Sequence, residues 1–243
     1  PHVSAVKTVW KEVDKHPRVA SALLYDIFDK RIRLKAAESL IPEVEKIGDP
    51  VLVFHAKAVR AELTRKPDHV KEAIDAAEDG ATIEICGSTW NENLTIDKTL
   101  HLRGFEYDET RVVARESGST IRITSGDVEI TNLTISGGTG SEEPPDQPWS
   151  DYAVGGGIRV QTGSLILSSS LVEDNVAEWG AGVFGDENAS VIEIRNSVIR
   201  SNTSSGGGGG VMTSANLILV DTTITENSAP YAAGLYSWNS ELI

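Results

Sequence analysis

Four times in the last third of the chain a small-residue, glycine-rich tetrapeptide ends in an aliphatic residue. They are Gly155-Gly156-Gly157-Ile158, Gly180-Ala181-Gly182-Val183, Gly208-Gly209-Gly210-Val211 and Ala232-Ala233-Gly234-Leu235. Their third glycine-slot residues, at 157, 182, 210 and 234, lie 25, 28 and 24 residues apart. An asparagine closes each intervening unit, at Asn175, Asn202 and Asn227. A period of this size predicts a stack of similar coils, each too small to bury a core alone.

Counting back from each asparagine makes the coil explicit. Three residues before it stand Val172, Ile199 and Ile224; eight before it Leu167, Ile194 and Leu219; ten before it Leu165, Ile192 and Leu217. Val128, Ile130 and Ile135 fill the same slots one coil earlier, with Gly138 in the place of the asparagine. Residues two apart point to one side of a strand, so each coil sends aliphatics to a shared axis from three short strands. The fold class expected is mainly β: a right-handed parallel β-helix with three short strands per coil. Asparagines in equivalent slots are expected to stack as an amide ladder, and the glycines to make bends where a side chain would clash.

Upstream the pattern differs. Residues 1–66 read as a small α-helical bundle, with stripes such as Val3, Val6, Trp10 and Val13, and then Leu52, Ala56, Val59 and Leu63. After Pro67 one further helix is expected over 68–79, with Val70, Ala73, Ile74 and Ala77 on one face and Gly80 as its stop. From Ala81 the pattern changes to period two, in Ile83/Ile85, Leu94/Ile96, Leu100/Leu102, Ile121/Ile123 and Val128/Ile130. The domain organisation expected is a helical domain, 1–66, followed by a β-helix, 67–243, with a capping helix at its start. Leu235–Ile243 begins another coil and stops, so further coils or a protein partner are expected to cover that end. The chain begins at Pro1 and not methionine, which fits removal of a leader or upstream domain.

The pairing of Gly-Gly-aliphatic with aliphatic-x-x-Asn, as in Val172-Glu173-Asp174-Asn175, Ile199-Arg200-Ser201-Asn202 and Ile224-Thr225-Glu226-Asn227, covers residues 155–243. It resembles the repeats of chlamydial polymorphic outer-membrane proteins, which carry phenylalanine at the aliphatic slot, and those of bacterial surface β-helix proteins. The segment from Val70 to Gly104 resembles the start of pectin-lyase-like β-helix proteins, where an amphipathic helix plugs the first coil. The resemblance implies an extracellular or bacterial cell-surface location. It also implies one of two functions. The first is a non-catalytic, carbohydrate-binding, adhesive or structural scaffold. The alternative is a polysaccharide-acting lyase, hydrolase or epimerase.

The formal charge of −14 disfavours nucleic acid and anionic membrane surfaces as partners. No apolar run reaches the length of a membrane span. The one cysteine, Cys86, cannot form an intrachain disulfide and is expected as a small buried hydrophobe. For catalysis the candidates are Asp174, Glu226 and Arg200. The two carboxylates precede closing asparagines and so share one face, about 9.6 Å apart at two coil heights, within reach of inverting-hydrolase geometry. Glu173, Asp186, Glu187, Glu193 and Asp221 are further carboxylates near the repeats, while Arg195 and Arg200 lack a matching carboxylate cluster in the sequence. No metal-ligand motif stands out; calcium, which lyases of this fold use, is the one cofactor the resemblance allows. Aromatic residues supply the binding candidates, Trp149, Tyr152, Trp179, Tyr231 and Trp238, with Tyr236 beside them. Trp179 and Tyr231 each precede a small-residue tetrapeptide and are expected to stack at one corner, presenting flat faces to a polysaccharide or cell-surface glycan.

The spacing between glycine cluster and next strand varies, from Gly157 to Leu165, Gly182 to Ile192 and Gly210 to Leu217. That variation predicts insertions along a single edge of the solenoid, where binding loops usually lie. The largest insertion, Gly137–Ala153, carries Trp149, Asp151 and Tyr152.

Overall fold

Alternating aliphatics place one face of every short strand against a common interior, and the strands pair in parallel from one coil to the next. A computed structural model describes residues 69–142 and 149–238; the expected helical bundle, 1–66, lies outside the described residues. Three stacks of strands run along the axis. The first joins Ala81–Ile85, Leu100–Gly104, Asp127–Thr131, the later parts of Ile158–Ser168 and Val183–Arg195, and Asn216–Val220. The second joins Thr89–Asn91, Arg111–Val113, Thr134–Ser136, Leu171–Glu173, Val198–Arg200 and Thr223–Thr225. The third joins Leu94–Ile96, Ile121–Ile123, the early parts of Ile158–Ser168 and Val183–Arg195, Val211–Thr213 and Leu235–Ser237. A shorter parallel pair, Val176–Trp179 with Thr203–Gly207, follows the second stack.

The register matches the alignment read from the sequence. Leu100, Val128, Leu165, Ile192 and Leu217 form one column, and Leu102, Ile130, Leu167, Ile194 and Leu219 the next. Val112, Ile135, Val172 and Ile199 form a third, all fully buried. Burying one such side chain contributes about 1.5–3 kcal/mol, largely offset by the entropy of ordering the coil, so each coil depends on its neighbours.

The asparagine ladder forms as expected. Asn175 Nδ2 donates to Asn202 Oδ1 and Asn202 Nδ2 to Asn227 Oδ1, each at 3.0 Å. The same acceptors take the backbone N–H groups of Asn175 and Asn202 at 3.1 and 3.0 Å. Gly138 takes the asparagine slot in the preceding coil, and its N–H donates to Asn175 Oδ1 at 3.0 Å. The residue before each ladder position, Gly137, Asp174, Ser201 and Glu226, adopts the left-handed backbone, with φ of 78°, 54°, 54° and 56°. The third residue of the glycine tetrapeptide is small for a different reason. A Cβ at Gly157, Gly182 or Gly210 would lie within 2.5 Å of the carbonyl oxygen one coil on.

At the N-terminal end the helix His69–Ala76 buries Val70 and Ile74, ending earlier than the 68–79 expected. Its first amides, Val70 N–H and Lys71 N–H, donate to the two carboxylate oxygens of buried Glu92 at 3.1 and 2.8 Å. At its other end Lys98 Nζ reaches the carbonyls of Ile74 and Ala77. Negative charge at the helix start and positive charge at its end both match the helix dipole and fix the helix over the first coil. Cys86 is half-buried, less enclosed than expected, at the end of the first strand.

The insertions do not share one edge. Between the third and first stacks the extra residues of the longer coil are absorbed as β-bulges, between Gly185 and Asn188 and between Ala189 and Val191. Val183–Arg195 therefore runs through that corner as one continuous strand. The Gly137–Ala153 insertion leaves from a different corner, between Thr134–Ser136 and Ile158–Ser168.

Candidate functional site

Strand alternation turns Arg159, Phe184, Met212 and Tyr236 outward from the third stack, and the register aligns them on four successive rungs. Outward residues of a solenoid meet water, yet Arg159, Phe184 and Met212 are at most 2% exposed. The cover is a strap made by the described parts of the Gly137–Ala153 insertion, 137–142 and 149–153, with Trp179 and Trp238 beside it. Its two ends pair as an antiparallel bridge, Ser141 N–H to Val154 O at 2.8 Å and Val154 N–H to Ser141 O at 3.2 Å. Glu178 accepts the Ala153 N–H on Oε2 at 2.8 Å, and its own N–H donates to Ala153 O at 2.7 Å.

Beneath the strap lies a buried ion pair. Arg159 donates from Nε to Asp186 Oδ2 at 3.1 Å and from Nη2 to both Asp186 oxygens at 3.0 and 3.3 Å. Its Nη1 donates to Ser141 O at 3.1 Å, so the guanidinium ties the third stack directly to the start of the strap. The guanidinium carbon also lies 6.0 Å from the Phe184 ring centroid, at the outer limit of a cation–π contact.

On this base the strap and the last rung assemble aromatic rings. Trp149, held at a φ of 65°, meets Phe184 edge-on at 5.3 Å, Trp238 at 5.8 Å and Tyr152 at 6.2 Å. Tyr152 in turn meets Trp179 at 6.3 Å, and Tyr236 stacks on Trp238 at 5.9 Å with 27° between planes. Four of the five binding candidates, Trp149, Tyr152, Trp179 and Trp238, thus join one aromatic platform. The tryptophans are half-buried, while Tyr152 and Tyr236 are 43% and 40% exposed.

Tyr231 does not join those rings. Trp179 pairs with Gly207 and Gly207 bridges to Tyr231, so the two aromatics stand two rungs apart in one column, about 9.6 Å. Instead of stacking on Tyr231, the Trp179 ring packs over the glycine rung. A Cβ on Gly206 would come within 2.8 Å of Cε2 and one on Gly207 within 3.0 Å of Cζ3. Tyr231 is 69% exposed at the edge of the platform.

The catalytic candidates lie elsewhere, on and beside the second stack. Asp174 and Glu226 occupy the same left-handed corner on alternate coils, both exposed. Arg200 is not without a carboxylate: it donates from Nε and Nη2 to Glu173 Oε2 at 3.0 and 2.8 Å, while Arg111 Nη2 takes Glu173 Oε1 at 2.9 Å. Burial pushes the Glu173 carboxyl up, but hydrogen bonds and charge from Arg200 and Arg111 outweigh it and hold the group below its ordinary value. Arg200 is raised in return, through its hydrogen bond to Glu173. Arg195 likewise pairs with Glu193. These arginines bind carboxylates of their own scaffold, and Asp174 and Glu226 sit at turns in the left-handed conformation, which Asp adopts more readily than most residues. Asp221 occupies a further left-handed corner and Glu187 is exposed beside Asp186. Among the described residues no three His, Cys, Asp or Glu side chains gather as a group that could hold a metal ion. None of the described helices is long and apolar enough to cross a membrane.

Arg159 and Phe184 escape a sequence search for active-site motifs. A usable signal existed, namely the second residue after each glycine cluster. That slot points outward, yet holds Arg159, Phe184, Met212 and Tyr236, too apolar a column for a bare surface.

The geometry defines a parallel β-helix carrying an aromatic platform on one outer face. The family model described as "Right handed beta helix region" matches residues 77–242, and the chain belongs to that family. Among solved structures it is similar to a pectin methylesterase in complex with a hexasaccharide (17% identity, TM-score 0.40), covering 62% of this chain and 59% of that one. The chain thus spans about three-fifths of that relative's length. A mutant pectin methylesterase, also in complex with a hexasaccharide, matches at 15% identity and TM-score 0.35, over 71% and 74% of the two chains. The deglycosylated enzyme from Aspergillus niger matches at 14% identity and TM-score 0.31, over 70% and 80%. No curated protein matches this chain.

Proposed function

We propose that this protein is a non-catalytic, carbohydrate-binding β-helix scaffold of the cell surface or extracellular space. In this reading residues 1–66 form a separate helical domain ahead of the β-helix, 67–243. The observation that carries it is the aromatic platform. Trp149, Tyr152, Trp179, Tyr236 and Trp238 gather on one outer face, on a rigid base, with tyrosine rings left 40–43% exposed. Sugar rings present flat C–H faces that pack on the electron-rich faces of aromatic rings, and rings already fixed lose little entropy on binding. Arg200 and Arg111 are both engaged by Glu173 on the second stack, which favours a structural role for those residues over a hydrolytic one.

Glycan-array binding and a reducing-end assay on the same oligosaccharides test the proposal together. Retention without product is expected, and Tyr236→Ala should weaken retention about tenfold, equivalent to about 1.4 kcal/mol. Accumulating product would replace this reading with a polysaccharide-acting enzyme. Silence in both assays would leave a scaffold read by protein partners.

A further inference from the structure

The carbohydrate-binding reading above leaves open the class of sugar, and charge around the platform narrows it. Two arginines stand on the outward face of the third stack, in register at Arg122 and Arg159. Both are engaged. Arg159 is 1% exposed and held by Asp186, and Arg122 Nε donates to Gln161 Oε1 at 2.8 Å. Beyond Arg200 the sequence contains neither lysine nor arginine, so the rungs of Met212 and Tyr236 contribute no positive charge.

Carboxylates border the same rings. Asp151 is exposed in the turn between Trp149 and Tyr152, where Tyr152 N–H donates to Trp149 O at 3.0 Å. Glu178 precedes Trp179 and gives one carboxylate oxygen to the Ala153 N–H of the strap. A ligand lying on Tyr152 and Tyr236 therefore meets negative charge at its edges and apolar ring faces beneath it.

We propose that the platform selects uncharged glycans and rejects uronate-bearing or sulfated chains. Apolar ring faces hold either kind equally. The difference comes from repulsion between ligand carboxylates and Asp151 and Glu178 across water, within a Debye length of about 8 Å at physiological salt. Repulsions of this kind lower affinity by about tenfold at low ionic strength.

The test uses the full chain and a matched pair of probes, a galacturonan hexasaccharide and its carboxyl-reduced counterpart, followed by tryptophan fluorescence. Ring, linkage and length are shared, so only the charge differs. The reduced sugar should bind about tenfold more tightly at about 0.01 M salt, where the Debye length is about 30 Å, and the preference should fade at about 1 M, where it is about 3 Å. The variant Asp151→Asn should shrink the preference by raising affinity for the charged probe. Equal or tighter binding of the galacturonan at low salt overturns the charge selection while leaving the glycan platform standing. Absence of binding by either probe, and by a panel of neutral oligosaccharides, overturns the platform itself and this inference with it.

Discussion

Removing the Arg159 guanidinium should open the strap before it melts the coils. Trp149 meets Phe184 and Trp238 across the strap, and Tyr152 meets Trp179. Such ring pairs contribute about 0.5–1.5 kcal/mol each. The Ala153 N–H to Glu178 carboxylate bond adds about 1.5–3 kcal/mol. Together these hold the strap by about 5 kcal/mol. Arg159→Ala leaves the 7%-exposed Asp186 carboxylate without its arginine, which costs about 3–5 kcal/mol. The two figures are comparable, so the strap loses most of its hold and wets Asp186 by opening. The coil core lies on the other side of the same strands, with Ile158, Val160 and Val183 fully buried, and does not need to move. Limited proteolysis should cut within the strap at residues 149–152, tryptophan emission should shift to the red, and the urea midpoint of the whole chain should fall only slightly. A second variant, Arg159→Met with Asp186→Leu, removes both charges. Swaps of that kind are often neutral or stabilising, so the strap should close again. A double variant as open as the single one, or a single variant that loses global stability with its strap uncut, would refute the reasoning.

Acid should weaken the second stack through Glu173. Its carboxyl is held below the ordinary value of 4.5 in the folded chain, so its contribution is complete above about pH 5 and lost as pH falls through the depressed value. The gap in urea midpoint between wild type and Glu173→Gln should therefore be full at neutral pH and close on acidification; a gap that widens would contradict the assignment. Asn202→Ala should cost about 3 kcal/mol, since it strips partners from Asn175 and Asn227 together, and Asn227→Ala about half that; equal costs by urea titration would argue against a continuous ladder.

Legibility in the sequence divided along the inside and outside of the solenoid. Interior columns were readable because a parallel stack repeats its demand. Leu165, Ile192 and Leu217 occupy one slot, so the sequence repeats as the geometry does, and the register followed to the residue. The ladder was readable for the same reason, whereas the left-handed backbone at Asp174, Ser201 and Glu226 was not, since the two carboxylates in that slot were read for their chemistry. The outer faces carry no such constraint. Arg200 reaches Glu173 across one rung, and Arg111 reaches the same carboxylate from two coils away, a pairing that no spacing rule within a coil reveals. Placement of the long insertion failed for a related reason. Variation in coil length pointed to one corner, but backbone there absorbed it as bulges, because two extra residues fit into a continuing ladder more easily than into a loop. Only the insertion too long for a bulge became a strap. Its landing place was set by the outward column of Phe184 and Met212, apolar side chains with no solvent-facing purpose until Trp149 and Trp238 cover them. An outward slot that stays apolar over consecutive coils is therefore itself a signal, marking the face on which a solenoid's longest loop folds back.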